Sequence, residues 1–203
     1  MKKNLAYQKD FNLFDAFRIL DQEGKGYIIF SDLMLGLKQL KYMPDPIEVD
    51  LWMKRYGGFC SISQVKFSQF CRSFDPKDNY YSTLMNRRQS KLTGELAVFS
   101  EDTLKLYRSL WRNILTDEGI SEGQRQRFER MEDFSVEKMF KMLDLNRDGC
   151  FTPGELTQFL AERGIQLEGD GAQLLADKFD GDRDGKVNLS DFREEVRPKS
   201  PVR

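Results

Sequence analysis

Asp144-Leu145-Asn146-Arg147-Asp148-Gly149-Cys150-Phe151-Thr152-Pro153-Gly154-Glu155 carries oxygen-bearing side chains at its first, third, fifth, ninth and twelfth positions and glycine at its sixth. A calcium ion takes six to eight oxygen ligands, and a twelve-residue loop supplies them at that spacing, with glycine at the sixth position for the turn. Asp144, Asn146 and Asp148 offer side-chain oxygens, Cys150 its backbone carbonyl, Thr152 the ninth ligand and Glu155 a carboxylate able to bind through both oxygens. Phe151, at the eighth position, is expected in a short strand that pairs with a second loop.

Outward from this loop the chain repeats itself. Asp133-Phe134-Ser135-Val136-Glu137-Lys138-Met139-Phe140-Lys141-Met142-Leu143-Asp144 matches Asp10-Phe11-Asn12-Leu13-Phe14-Asp15-Ala16-Phe17-Arg18-Ile19-Leu20-Asp21, and each runs into a glycine-bearing loop. Leu156, Phe159 and Leu160 follow one loop, and Leu33, Leu37 and Leu40 the other, at the spacing of an apolar helix face. A degenerate copy follows each of these. Helix 47–54 leads to a loop with Gly57, Gly58 and Ile62, and helix 172–179 to a loop with Gly185 and Val187. The order pair, connector, pair predicts an all-α fold with two lobes joined by a long helical connector. The boundaries fall at 1–75, 76–131 and 132–196, with a basic, disordered tail at 197–203.

The other three loops differ in their chemistry. Residues 180–191 present Asp180, Asp182, Asp184, the carbonyl of Lys186, Asn188 and Asp191. The terminal aspartate reaches less far than glutamate, which predicts a weaker or mixed calcium/magnesium site. The loop 21–32 keeps Asp21, Glu23 and Gly26 but has Lys25 at the fifth position, Ile29 at the ninth and Asp32 at the twelfth; an ammonium beside a divalent cation is unfavourable. The last loop, read as 55–66, has Arg55 and Lys66 at both terminal positions, with Gly57 and Phe59 between, and should bind no calcium. Ile28 and Ile62 are expected to pair all the same, over a core of Phe14, Phe17, Leu33, Trp52, Phe67 and Phe70. The first lobe then serves as a scaffold or docking unit.

Charge divides the chain in the same place. Residues 132–196 hold 16 acidic against 8 basic side chains, whereas the whole chain is at −1, so general attraction to nucleic acid is not expected. The absence of histidine excludes Ser-His-Asp and Cys-His catalysis and imidazole-based zinc sites, and neither a phosphate loop nor a nucleophile arrangement is present. Cys60, Cys71 and Cys150 are an odd number at irregular spacing and read as reduced thiols. The amino terminus lacks the apolar core of a signal peptide, and no run approaches a membrane span, so a cytoplasmic protein is expected. In the connector, Ser100 reads as an N-cap before Glu101 and Asp102. Leu104, Tyr107, Trp111 and Ile114, widened by Leu106, Leu110 and Leu115, make an apolar stripe that either packs on a lobe or receives a partner. Gly119 and Gly123 are expected to weaken or end this helix.

Across its four loops and their flanking helices, roughly two thirds of the chain, the sequence resembles the EF-hand superfamily of calmodulin and troponin C, with a longer connector than calmodulin's. More loosely, Asn79-Tyr80-Tyr81-Ser82-Thr83-Leu84-Met85-Asn86-Arg87-Arg88, the tryptophan-bearing helix and Arg125-Gln126-Arg127 resemble EF-hand proteins of protist cilia. The resemblance implies either a calcium sensor and adaptor or a structural component of a ciliary axoneme or other microtubule-based assembly. A sensor would expose Met139, Met142, Phe159 and Leu160 to a protein partner such as an amphipathic helix; the same residues are also core candidates.

Overall fold

The computed structural model describes residues 1–58, 63–90, 99–181 and 184–201. Their contacts group into two compact units, Met1–Glu122 and Gly123–Arg203, rather than at residues 75, 131 and 196. The fold is all-α, with two short antiparallel sheets of two strands each. Among the described residues no helix is long and apolar enough to cross a membrane.

In the amino-terminal unit, α1 (Lys2–Tyr7) packs on α6 (Asn79–Asn86), α2 (Leu13–Arg18) on α5 (Phe67–Phe74), and α3 (Phe30–Gln39) on α4 (Pro46–Gly57). Asn12 caps α2 by accepting from the Asp15 amide at 2.8 Å, and Asp45 caps α4 with Pro46 in its first turn, as helix starts require. The strands β1 (Tyr27–Ile28) and β2 (Val65–Lys66) join the two loops, with Ile28 opposite Val65. The register of the second loop therefore differs from the sequence-based one. Helix α4 runs on to Gly57, Val65 rather than Ile62 occupies the eighth position, and the loop is 58–69. Arg55 stays on α4, where its guanidinium donates to Glu118 at 2.9 Å. Phe59, Cys60 and Ile62 lie outside the described residues.

Phe17, Leu33, Trp52 and Phe70 are buried as expected and Phe67 is partly buried, but Phe14 is 47% exposed, with its ring T-shaped to that of Phe67. Helix α7 (Glu101–Glu129) adds two large aromatics to this core. Tyr107, Leu110, Trp111 and Leu115 are buried with the residues of α2 to α5. Trp111 lies 5.0 Å from Trp52 and 4.8 Å from Phe74 between ring centroids. The Tyr107 hydroxyl donates to the Ala16 carbonyl at 3.0 Å, and burial pushes its ionisation well up. Asp10 fixes the start of α7, accepting from the Ser100 amide and the Thr103 hydroxyl, both at 2.6 Å. Nor does α7 end at Gly119 or Gly123. The core on its apolar stripe outweighs the roughly 1 kcal/mol that a helical glycine costs, and at Gly119 a Cβ would stand 3.2 Å from Glu48 Oε1.

The carboxy-terminal unit holds α8 (Val136–Leu143), α9 (Pro153–Ala161), α10 (Gly171–Phe179) and α11 (Leu189–Val196), with α8 against α11 and α9 against α10. Its core is Phe140, Leu143, Phe151, Leu156, Phe159, Val187, Phe192 and Val196. The segment expected to be disordered is partly tied down. Lys199 is buried and donates to the Glu194 carbonyl at 2.5 Å, and Gln126 donates to the Ser200 carbonyl at 3.1 Å.

Because Trp111 is enclosed by the amino-terminal core, Trp111→Ala should destabilise that unit by about 3–5 kcal/mol, against roughly 5–15 kcal/mol for a typical domain. Urea denaturation followed by the fluorescence of Trp52 measures the loss; an unchanged midpoint would mean that the stripe on α7 packs elsewhere.

Candidate metal site

The loop 144–155 begins where α8 ends and finishes inside the first turn of α9. Asp144 is buried, and its carboxylate accepts from the amides of Asp148 at 3.1 Å and Gly149 at 3.0 Å. Gly149 has φ +90° and Arg147 φ +60°; the sixth position, without a Cβ, turns the chain back at little steric cost. Asn146 Oδ1 accepts from the Asp148 amide at 2.8 Å, and Asn146 Nδ2 donates to Asp148 Oδ2 at 3.2 Å. At the other end Thr152 and Glu155 form a reciprocal capping box. Glu155 Oε2 accepts from the Thr152 amide at 2.9 Å, and Thr152 Oγ1 from the Glu155 amide at 3.3 Å. Glu155 Oε1 accepts from the Asn146 amide at 3.3 Å, so the twelfth position already reaches across to the third.

Cys150 stands in strand β3 (Cys150–Phe151), which pairs with β4 (Val187–Asn188); Phe151 faces Val187. The Cys150 thiol donates to Asp148 Oδ1 at 3.0 Å. That bond is the main reason the Asp148 carboxyl is held below the usual range, and it pushes the thiol up. Neither Cys71 nor Cys150 is in a disulfide; Cys60 lies outside the described residues.

The loop 180–191 repeats this frame. The carboxylate of buried Asp180 accepts from the Gly185 amide at 3.1 Å, with Gly185 at φ +88°. Asp184 accepts from the Lys186 amide at 2.8 Å. Asn188 and Asp191 form the capping box, at 3.1 and 3.2 Å. Asp182 lies outside the described residues.

Both loops thus offer hard oxygen donors of the kind calcium takes. The carboxylates are not drawn together into one cluster: among the described residues no three His, Cys, Asp or Glu side chains stand close enough to hold a metal. Their oxygens accept from loop amides, which sets the backbone of the frame. The donor types and their order fit calcium.

The loop 21–32 has the same frame with other chemistry. Asp21 accepts from the amides of Lys25 and Gly26, each at 2.8 Å, and Asp32 from the Ile29 amide at 3.0 Å. The Lys25 ammonium lies 2.9 Å from Asp32 and 3.2 Å from Glu23. In the loop 58–69 only the return half of a capping box is made, the Lys66 amide donating to Gln69 Oε1 at 2.7 Å, because an ammonium side chain cannot accept. Gln69, overlooked in reading the sequence, therefore takes the twelfth position. A glutamine at the third position of the helix is the one half of a capping signal that the sequence carries there.

Thr152→Ala removes the cap of α9 and should cost about 1 kcal/mol. Hydrogen exchange of the amides between residues 153 and 161 should speed up accordingly, with the amides of α3 unchanged.

Residues 133–197 match the family of EF-hand domain pairs. The chain is 31% identical to calcium-binding protein 8 of Rattus norvegicus, and equally of Homo sapiens, over 74 residues, which is 36% of this chain and 28% of that protein. It is 36% identical to the probable calcium-binding protein CML28 of Oryza sativa subsp. japonica over 62 residues, 30% of this chain and 36% of that protein. The chain thus spans little more than a quarter of the length of the first of these relatives.

Proposed function

We propose that this chain, whose residues 133–197 form an EF-hand pair related to those of calcium-binding proteins, is a calcium-responsive adaptor. Its carboxy-terminal pair takes up calcium, and its amino-terminal unit is a calcium-independent docking scaffold for a protein partner. The observation that carries this reading is the loop 144–155, where oxygen donors, the glycine turn and the capping glutamate share one closed frame. Asp144, Asn146, Asp148, Thr152 and Glu155 would hold the ion by side chains and Cys150 by its carbonyl. Asp180, Asp182, Asp184, Asn188 and Asp191, with the carbonyl of Lys186, would form a second and weaker site, open to magnesium as well.

A bound divalent cation supplies the positive charge against which these carboxylates can converge. Glu155 sits in the first turn of α9, so drawing its carboxylate inward pulls on that helix. Phe159 is buried and Met139 and Leu160 are partly buried, whereas Met142 is 46% exposed. Movement of α9 against α8 would uncover the first three beside Met142, a flexible apolar surface suited to an amphipathic helix. Neither the relatives nor the geometry favours the structural, axonemal alternative.

Calorimetric titration with calcium, in the presence and absence of magnesium, tests the reading. The tighter site should fall near the sensor range of about 10⁻⁷–10⁻⁵ M. Glu155→Gln should weaken it by at least about tenfold, since even second-shell changes at metal sites cost that much. An apolar dye should bind on calcium addition and not with Glu155→Gln. Binding without dye uptake would replace the adaptor by a buffer, and no binding would end the calcium reading.

A further inference from the structure

The amino-terminal loop 21–32 presents an unusual arrangement: its backbone matches the loop 144–155 while a lysine occupies the fifth ligand position. At the fourth and sixth positions Gly24 and Gly26 have φ +70° and +82°, beside +60° and +90° for Arg147 and Gly149. At the first position, Asp21 and Asp144 each accept from the amides of the fifth and sixth residues. At the ninth and twelfth, the Ile29 amide meets Asp32 as the Thr152 amide meets Glu155. Yet the Lys25 side chain is only 21% exposed, folded inward rather than into solvent. Its ammonium reaches both carboxylate oxygens of Asp32, each at 2.9 Å, and Glu23 Oε2 at 3.2 Å.

We propose that Lys25 is a tethered cation that substitutes for a metal ion in the first hand, bridging its third and twelfth positions and holding the loop closed whether calcium is present or not. The inference rests on reading the amino-terminal unit as calcium-independent, and gives that independence a cause. The carboxylates of Glu23, whose side chain is 76% exposed, and Asp32 repel one another, and an opposite charge that meets both relieves that repulsion. A divalent ion would come and go with its concentration; an ammonium on the chain is present at fixed effective concentration. It also repels any cation that would enter. Exchanging this one side chain for an acid then turns the loop into a metal site, with Asp21, Glu23, the new carboxylate, the Tyr27 carbonyl and Asp32 as its donors.

The full chain provides its own reporter, because Trp52 and Trp111 are its only tryptophans and both lie in the amino-terminal unit. Thermal unfolding followed by tryptophan fluorescence should give the same midpoint in chelator and in calcium for the unaltered chain. Lys25→Met should lower that midpoint by about 2–6 °C, equally in both conditions. Lys25→Asp should lower it in chelator and recover it in calcium, and calorimetry should count one more calcium ion per chain than for the unaltered protein. The proposal is overturned by a Lys25→Met midpoint that does not move, by a Lys25→Asp chain that calcium fails to rescue, or by an unchanged stoichiometry. Should the carboxy-terminal pair bind no calcium at all, the count would still rise from none to one, so the two readings fail separately.

Discussion

The contact on which each pair of hands depends is the two-residue antiparallel bridge between its loops, Ile28 opposite Val65 in one unit and Phe151 opposite Val187 in the other. All four residues are buried, so the bridge is both a hydrogen-bonded link and the centre of an apolar core. A two-stranded ribbon alone is marginal in water; here the helices entering and leaving each loop cover it. The residue after each bridging hydrophobe opens the next helix, and a side chain three positions on accepts from its amide: Asp32, Gln69, Glu155 and Asp191. This part of the frame needs no metal and no particular charge. It therefore survives in a loop with Lys66 and Gln69 as well as in one with Thr152 and Glu155.

Separating frame from ligands explains how one chain can hold two kinds of unit. Where the ligand positions are acidic or amide-bearing, as in 144–155, the frame carries oxygen donors of the kind a divalent cation takes. In the first hand a lysine stands among them, and in the second the acids are replaced. The amino-terminal unit also recruits α7, whose Tyr107 and Trp111 fill a core otherwise made by α2 to α5. A lysine among the acids and an enlarged core act in the same direction, toward the calcium-independent unit proposed above.

The same separation decides what could be read from the sequence. The register of the loop 144–155 was legible because its residue types anchor it: an acid at the first position, glycine at the sixth and glutamate at the twelfth leave one alignment. The repeat of Asp133–Asp144 in Asp10–Asp21 then placed the first hand. The second hand has no ligand types to anchor it, and counting from Arg55 set the loop three residues too early. What fixes the register there is packing, through Val65 at the bridge, and a capping pair that only the approach to α5 reveals. Phe14 failed as a core residue for a related reason. Its helix α2 turns Leu13, Asp15, Ala16 and Phe17 inward, which leaves Phe14 on the outer face.

Helix α7 was legible as a stripe but not in extent. Glycine lowers intrinsic helix propensity at residues 119 and 123, and propensity is a weak prior once tertiary contacts are present. Around Gly119 those contacts are specific: Glu118 is buried and receives Arg55 at 2.9 Å, and the Glu48 side chain packs where a Cβ would make a tight contact. Further on, Arg125 is buried and donates to the Glu195 carbonyl at 2.8 Å. Such contacts join residues 63 and 70 positions apart, beyond the reach of any local pattern. Charge that reads as a solvated helix face in the sequence is, at Glu118 and Arg125, buried and paired, because its partners arrive from helices that only the folded chain brings near.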